Sequence, residues 1–489
     1  MSSLRFDFNN MMEHNIGKKD GISTGDLKAF KKQAYAAQRH LAKVLLSKKD
    51  RISLSLEWTR LPFQDEKVLA EIQTYGEQIG KNYENVIFLG IGGSYLGLKA
   101  AQDALLSPYY NDFKALRKGR ARIYFEGNNL DPETLFALLK NLNPKKTFVV
   151  CISKSGETTE TKAALELAEN WLRKAYGKNF AKRIAVITDP ESGALRQKAK
   201  KANNSDPLAY RSLPLIPGVG GRFSEFNMGL LHLAIIGVKL KEVLAGAAAM
   251  AKSCEIPDIF GNPALMYAVL QVLAFKRKRK SIAVLMPFSE QLKATADWYV
   301  QLLAESTGKK FGRKIIVEDG VEKWAEDKSR LLNTGRTPVS ARGTNDLHSI
   351  QQNNIEGRND KTVTFIRVEK FRNDLRLPFT GDFLAGKKYS ELLKTAQEGT
   401  AWALNRAERP NCVISLPELS PRAWGELLFF FEMATAYEGE LLNINAFNQP
   451  GVESYKNFMF FKLKKPGVKK ETSEEITNNP MVSKKRYII

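Results

Sequence analysis

The residues best suited to chemistry crowd between Thr147 and Thr161, in the stretch T-F-V-V-C-I-S-K-S-G-E-T-T-E-T. Thr147 to Ile152 is apolar and β-branched and reads as a buried strand. Ser153, Lys154, Ser155, Gly156, Thr158, Thr159 and Thr161 then gather at the start of an alanine-rich helical stretch, Lys162 to Tyr176. Hydroxyls, a glycine and main-chain N–H groups at a helix N-terminus form a site for an anion, most often a phosphate. An ordinary helix cap needs one or two such residues, whereas this turn has five hydroxyl residues and a lysine. The spacing therefore predicts a phosphate-binding turn.

Three further patches carry groups able to move protons. Glu305 ends a helical stretch in Ala304-Glu305-Ser306-Thr307-Gly308-Lys309. A carboxylate there can enter a cleft as a general base, although the segment taken alone is better explained by a solvated glutamate. His348, in Gly343-Thr344-Asn345-Asp346-Leu347-His348-Ser349, falls in the first turn of a predicted helix. It can act as acid or base near neutral pH, or merely cap and pack. Lys456 lies about one and a half turns into a helix opened by Gln449-Pro450-Gly451, and a single lysine is by default a surface group. Arg222 follows the glycines of Gly218-Val219-Gly220-Gly221, which permit close approach of main chain to a ligand. His14, His40 and His232 lack a comparable context, and His232 reads as core.

The elements that must position these groups alternate in type. Strand-like runs at Val86–Leu89, Arg122–Phe125, Thr147–Ile152 and Ile184–Thr188 are each followed by a loop and, for the first three, by a helical pattern. Such alternation implies an α/β fold with a parallel sheet and helices on both faces. Ligands in such sheets bind at the carboxyl ends of the strands, where the Gly90-Ile91-Gly92-Gly93-Ser94 loop and the Ser153–Thr161 turn would both sit. A long apolar helix, Phe226 to Leu244, is expected to lead to a second alternation. Its expected strands are Ile282–Met286, Ile315–Val317, Val363–Val368 and Val413–Leu416. Its expected helices are Pro263–Phe275, Gln291–Ser306, Tyr389–Ala407 and Arg422–Glu438. The chain is read as a helical N-terminal arm (1–58), a first α/β domain (59–246), a second (247–464) carrying Glu305 and His348, and a tail (465–489) extended on the surface.

Composition narrows the classes. The 489 residues are 43% hydrophobic and 26% charged, as in a soluble globular protein. No apolar run approaches the roughly 20 residues that span a bilayer, and MSSLRFDFNN lacks a signal core, so a cytoplasmic protein without a membrane partner is expected. Three scattered cysteines and four histidines argue against disulfides and against a thiolate or multi-histidine metal centre. The net charge of +22 suits steering of anionic substrates. The basic residues are spread along the chain without a nucleic-acid-binding motif, so nucleic acid is not expected as a partner.

Taken together, these patches resemble phosphoglucose isomerases. The carrying residues are Gly90–Ser94, the turn Ser153–Thr161, Gly220-Gly221-Arg222-Phe223-Ser224, Glu305-Ser306-Thr307-Gly308-Lys309, Gly343 to His348, and Gln449-Pro450-Gly451-Val452-Glu453 through Lys456. They occur in the family's order, and the turn has the form associated with bacterial members. The resemblance implies two sugar-isomerase (SIS) domains, each a flavodoxin-like parallel sheet sandwiched by helices, in a homodimer. It implies interconversion of glucose 6-phosphate and fructose 6-phosphate without metal or organic cofactor. By the same resemblance, Ser153, Lys154, Ser155, Thr158 and Thr161 hold the phosphate, and Gly93 and Ser94 line the sugar site. His348, donated by the neighbouring subunit, opens the ring with Lys456. Glu305 moves the proton between C2 and C1, Arg222 stabilises the enediolate, and Gln449 helps close the site. Glu157 is expected to point away from the phosphate. Use of mannose 6-phosphate as well, and a non-catalytic sugar-phosphate-binding regulator, are the alternatives. The regulator has no need of Glu305, Arg222 and His348 together.

Overall fold

The computed structural model of the chain describes residues 3–379 and 381–489. It divides into two compact units, Met1–Ala446 and Phe447–Ile489. The first unit contains two five-stranded sheets and a separate two-stranded one. The strands are β1 (Arg5–Asp7), β2 (Asn85–Leu89), β3 (Arg122–Glu126), β4 (Thr147–Ile152), β5 (Ile184–Thr188), β6 (Arg211–Pro214), β7 (Ile282–Pro287), β8 (Lys309–Glu318), β9 (Val321–Thr334), β10 (Thr337–Ser340), β11 (Lys361–Lys370) and β12 (Asn411–Glu418).

The first sheet runs β3-β2-β4-β5-β6 with every neighbour parallel. Counted in chain order this is 2-1-3-4-5, the flavodoxin order, whose ligand crevice lies at the carboxyl ends of the first and third strands. Here those strands are β2 and β4. Both are buried at every residue, as continuous apolar runs covered on two faces must be. Ile87, Leu89, Val149 and Cys151 face the helix Thr159–Tyr176 through Ala164, Leu165, Ala168 and Leu172. Phe88 points the other way, edge-on to His232 of the helix Glu225–Ile235 at 5.1 Å between ring centres. His232 is fully buried, and burial pushes its imidazole down to about 3. It is a neutral core residue.

The second sheet runs β1-β12-β11-β7-β10. Its four later strands are parallel and repeat the order 2-1-3-4. The N-terminal β1 completes it, pairing antiparallel with β12. Val284, Met286, Phe365 and Leu404 build the core beneath the helix Tyr389–Arg406. On the opposite face Thr364 meets the Tyr267 hydroxyl at 3.0 Å, from the helix Pro263–Lys278.

Several local expectations change. Ile315–Val317 is not a sheet strand; it lies in β8, which folds back on β9 as an antiparallel hairpin outside both sheets. The turn at Asp319 and Gly320, both at positive φ, makes the hairpin. The helix expected over Phe226–Leu244 is two helices, Glu225–Ile235 and Leu240–Cys254, broken at Gly237 with φ +86°. The N-terminal arm is helical over Thr24–Leu46 but begins with a strand. β6 and β10 had no expectation because they are short and carry prolines. The second unit has the expected helix around Lys456, at Glu453–Lys462, and a further helix at Lys470–Asn478, in the tail that was expected to be extended. Among the described residues no helix is long and apolar enough to cross a membrane.

Candidate active site

The phosphate turn is fixed by the loop that follows β5. Strand pairing extends one residue past β4, with Ser153 N–H donating to Ile187 O at 3.1 Å. Lys154 O accepts from Asp189 N–H at 3.3 Å and from the Thr188 hydroxyl at 3.1 Å. Ser155 O accepts from Ala194 N–H at 2.8 Å. Gly156 sits at φ +73°, and a Cβ there would lie 2.5 Å from Leu195 N, so only glycine fits this turn. The Ser153 and Ser155 side-chain oxygens accept from Gly156 N–H at 3.0 Å and Glu157 N–H at 3.1 Å, which leaves each O–H to donate. Thr158 precedes the helix Thr159–Tyr176 and makes no side-chain cap bond. The positive end of an 18-residue helix thus opens among hydroxyls. Thr161 is buried and donates to Gly127 O at 3.3 Å. Lys154 is exposed at the rim. Glu157 pairs with Lys162 at 3.4 Å, which draws its charge along the helix.

Main-chain contacts lead from this turn to the Gly90–Ser94 loop. Gly90 N–H donates to Glu126 O at 3.0 Å, and Gly127 lies against both Gly90 N and the Cα of Thr161, its would-be Cβ being 3.5 and 3.4 Å away. Gly93 then meets the glycine segment before Arg222 so closely that a Cβ on it would stand 1.6 Å from Gly221 O. Ser94 Oγ reaches Met228 Sδ at 3.4 Å.

Arg222 is held from four sides. Its Nε donates to Ser306 Oγ at 2.7 Å, Nη1 to Glu305 Oε2 at 3.2 Å, and Nη2 to Ala446 O at 2.5 Å and Glu305 O at 3.5 Å. Burial pushes its guanidinium down to about 10, against the pull of Glu305, so it stays charged at neutral pH. Glu305 lies in the last turn of the helix Lys293–Thr307, which packs on the helix Leu96–Leu105 that follows the Gly90–Ser94 loop. Its second carboxylate oxygen accepts from Gln301 Nε2 at 3.1 Å. Gln301 in turn touches Gly92, where a Cβ would come 2.9 Å from the amide nitrogen. Sequence reading missed Gln301, although its i−4 spacing from Glu305 was the available signal.

The structure therefore brings together Gly93, Ser94, Ser153, Ser155, Thr158, Thr161, Arg222 and Glu305 at the carboxyl ends of β2 and β4. It does not bring His348 to Glu305 within one chain. His348 is exposed, in the one-turn helix Asn345–His348 beyond β10. That loop is tied to the carboxyl end of the second sheet by Gly343 N–H to Pro287 O at 3.0 Å. Lys293, at the start of the Glu305 helix, reaches Ser340 at 2.9 Å there. Glu305 is at the helix's other end, about 18 Å along the axis at 1.5 Å per residue. Gln449 and Lys456 belong to the second unit. Gln449 precedes the turn Pro450–Val452, and Lys456 is half-buried and pairs with Glu453 at 2.9 Å. Among the described residues no group of His, Cys, Asp and Glu is placed to hold a metal ion.

Two successive sheets with flavodoxin-like strand order, and a hydroxyl-lined turn at the crevice of the first, define an α/β protein whose ligand crevice lies at the carboxyl ends of its strands. A solved structure of a hypothetical protein from Thermus thermophilus has this fold with a TM-score of 0.78 and 30% identity, over 94% of this chain and 99% of its own. A glucose-6-phosphate isomerase from Chlamydia trachomatis matches with a TM-score of 0.69 at 23% identity, over 86% and 80% of the two chains. The family model for phosphoglucose isomerase matches residues 65–478. A glucose-6-phosphate isomerase of Carboxydothermus hydrogenoformans is 37% identical over 96% of this chain and 97% of its own. One from Symbiobacterium thermophilum is 36% identical over 85% and 88%. The chain belongs to the phosphoglucose isomerase family.

Proposed function

We propose that this chain catalyses the reversible isomerisation of glucose 6-phosphate and fructose 6-phosphate through an enediolate. The observation that carries the reading is the Arg222–Glu305 pair beside the Gly93 loop, which contacts through Gly90 and Gly127 link to the phosphate turn. The helix N-terminus at Thr158–Thr161, with Ser153, Ser155 and Lys154, receives the phosphate. Being remote from the reacting carbons, the phosphate contributes binding energy to orientation rather than chemistry. Gly93 and Ser94 line the sugar, and the missing side chain of Gly93 lets their loop lie directly against the Gly221–Arg222 main chain.

Moving a proton between carbons beside a carbonyl needs one base that can take it from C2 and return it to C1. Glu305 fills this role, with its carboxylate oriented by Arg222 on one oxygen and Gln301 on the other. The negative charge that grows on the sugar oxygens then faces a guanidinium already fixed by Ser306 and Ala446, so little reorganisation is needed. Ring opening requires a separate acid–base group. His348 does this with Lys456, and Gln449 helps close the site. The exposure of His348 and its separation from Glu305 within the chain support donation from a second copy, so the working unit is a homodimer.

Turnover of fructose 6-phosphate by purified protein tests the reading. Glu305→Gln keeps the size and the acceptor for Gln301 but removes the base. A loss of at least a thousandfold in kcat is expected, on the scale of an essential acid–base group with its electrostatic partner. Near-wild-type kcat in this variant would remove the proposed base.

A further inference from the structure

Lys309 has no role in the account above, yet it is 7% exposed and stands against the catalytic pair. It follows Gly308 at the end of the Glu305 helix and opens β8. Its Nζ donates to the main-chain carbonyl oxygen of Glu305, the oxygen that Arg222 Nη2 also approaches at 3.5 Å. Two cations from different elements therefore converge on one peptide group. Carbonyls in the last turn of a helix lack partners within it, and a cation there is favoured by the helix dipole. Burying an ammonium is nevertheless expensive, and a neutral or shorter side chain would fill a packing position at lower cost.

We propose that Lys309 is a positioning residue for the proton transfer: it fixes the main chain of Glu305 and adds a second positive charge behind the developing enediolate. This rests on the isomerase reading. The charged groups facing Lys309 are Arg222 from the glycine segment, Glu305 from its own helix and Glu326 from β9. Burial, and then Arg222, push the ammonium down to about 7, while Glu305 and Glu326 pull it back up. Below that value two cations, Lys309 and Arg222, stand with the carboxylates of Glu305 and Glu326. Above it, Lys309 is neutral and only Arg222 offsets the enediolate charge. Proton transfer is therefore faster on the acid side of this titration, and the alkaline loss belongs to kcat rather than to KM.

The test compares wild type, Lys309→Met and Lys309→Arg with fructose 6-phosphate between pH 6 and 9, alongside an NMR titration of the protein labelled at the lysine ε-carbons. The methionine variant is expected to lose about tenfold or more in kcat, with KM within about threefold, on the scale of one charged hydrogen bond. The arginine variant, charged throughout, restores part of kcat and abolishes the alkaline loss. If Lys309→Met keeps kcat within twofold at every pH, the proposal is overturned. Should the wild type turn over no sugar phosphate, the isomerase reading fails on its own. The NMR arm then decides for the lysine: a side chain titrating near 7, absent from Lys309→Met, supports it. A spectrum in which no lysine titrates near 7 overturns it.

Discussion

Arg222 and Glu305 form an ion pair of 3.2 Å whose two ends differ in access: the arginine side chain is 3% exposed and the glutamate 28%. The cation is locked into protein, while the carboxylate retains a face toward the cleft. This asymmetry suits a fixed charge and a working base. It predicts that Arg222→Lys loses about a hundredfold or more in kcat. A lysine cannot reproduce four directed bonds, and removing one preorganised donor costs on that order. Steady-state kinetics with fructose 6-phosphate checks this. A change confined to KM would mean the arginine serves binding only.

Gly93 has no room for a side chain, because its would-be Cβ stands 1.6 Å from Gly221 O. Gly93→Ala must push the Arg222 segment away from the Gly90–Ser94 loop. Overpacking of this kind costs about 1–3 kcal/mol, and activity should fall more than stability because Arg222 moves with the segment. Thermal unfolding and kcat measured on the same preparation separate the two effects.

Thr158 tests the phosphate turn with little interference from folding. It makes no cap bond to its own helix, so Thr158→Ala removes no cap. The prediction is an unchanged Tm and a KM raised about tenfold, on the scale of one hydrogen bond to a charged group. A lower Tm with unchanged KM would make Thr158 a structural residue.

His40 supplies a pH signature away from the site. Its Nδ1 lies 2.8 Å from Glu440 Oε2 and its Nε2 2.9 Å from Glu322 Oε1. The hydrogen bond with Glu440 is the largest influence, and it raises the imidazole above its ordinary 6.5. A raised folded-state value means the stabilisation is fully present below about 6.5 and is lost as pH rises through the higher folded value. The Tm advantage of wild type over His40→Gln should therefore shrink from pH 6 to pH 8.5. An advantage constant across that range would contradict the assignment.

Subunit exchange tests the donated histidine. Glu305→Gln and His348→Asn are each expected to be inactive. Denatured together and refolded in equal amounts, they form hybrid dimers with one intact site in two, so roughly a quarter of wild-type activity returns. No recovery, with hybrids shown to form, would place both groups of a site in one chain.

Four strands of the first sheet were legible because they are short, mainly apolar runs, such as Val86–Leu89, each followed by turn residues, whereas the short, proline-ended β6 was not. The phosphate turn was legible because hydroxyls and a glycine pack into nine residues. The β8–β9 hairpin was misread because Ile315–Val317 is apolar like a core strand, although Ile315 and Val317 are exposed. The buried setting of Lys309 was invisible too, since a lysine is a surface residue until tertiary structure buries it. The separation of His348 from Glu305 was signalled only by the family resemblance, because order along a chain says nothing of distance across a fold.

The central claim is that one carboxylate, Glu305, carries the proton between neighbouring sugar carbons. Incubating fructose 6-phosphate with the protein in deuterium oxide and following the C1 and C2 positions by NMR tests it most directly. Wild type is predicted to introduce deuterium at these carbons while isomerising, and Glu305→Gln to introduce none above the enzyme-free rate. Deuterium entering at the wild-type rate in Glu305→Gln would contradict the account.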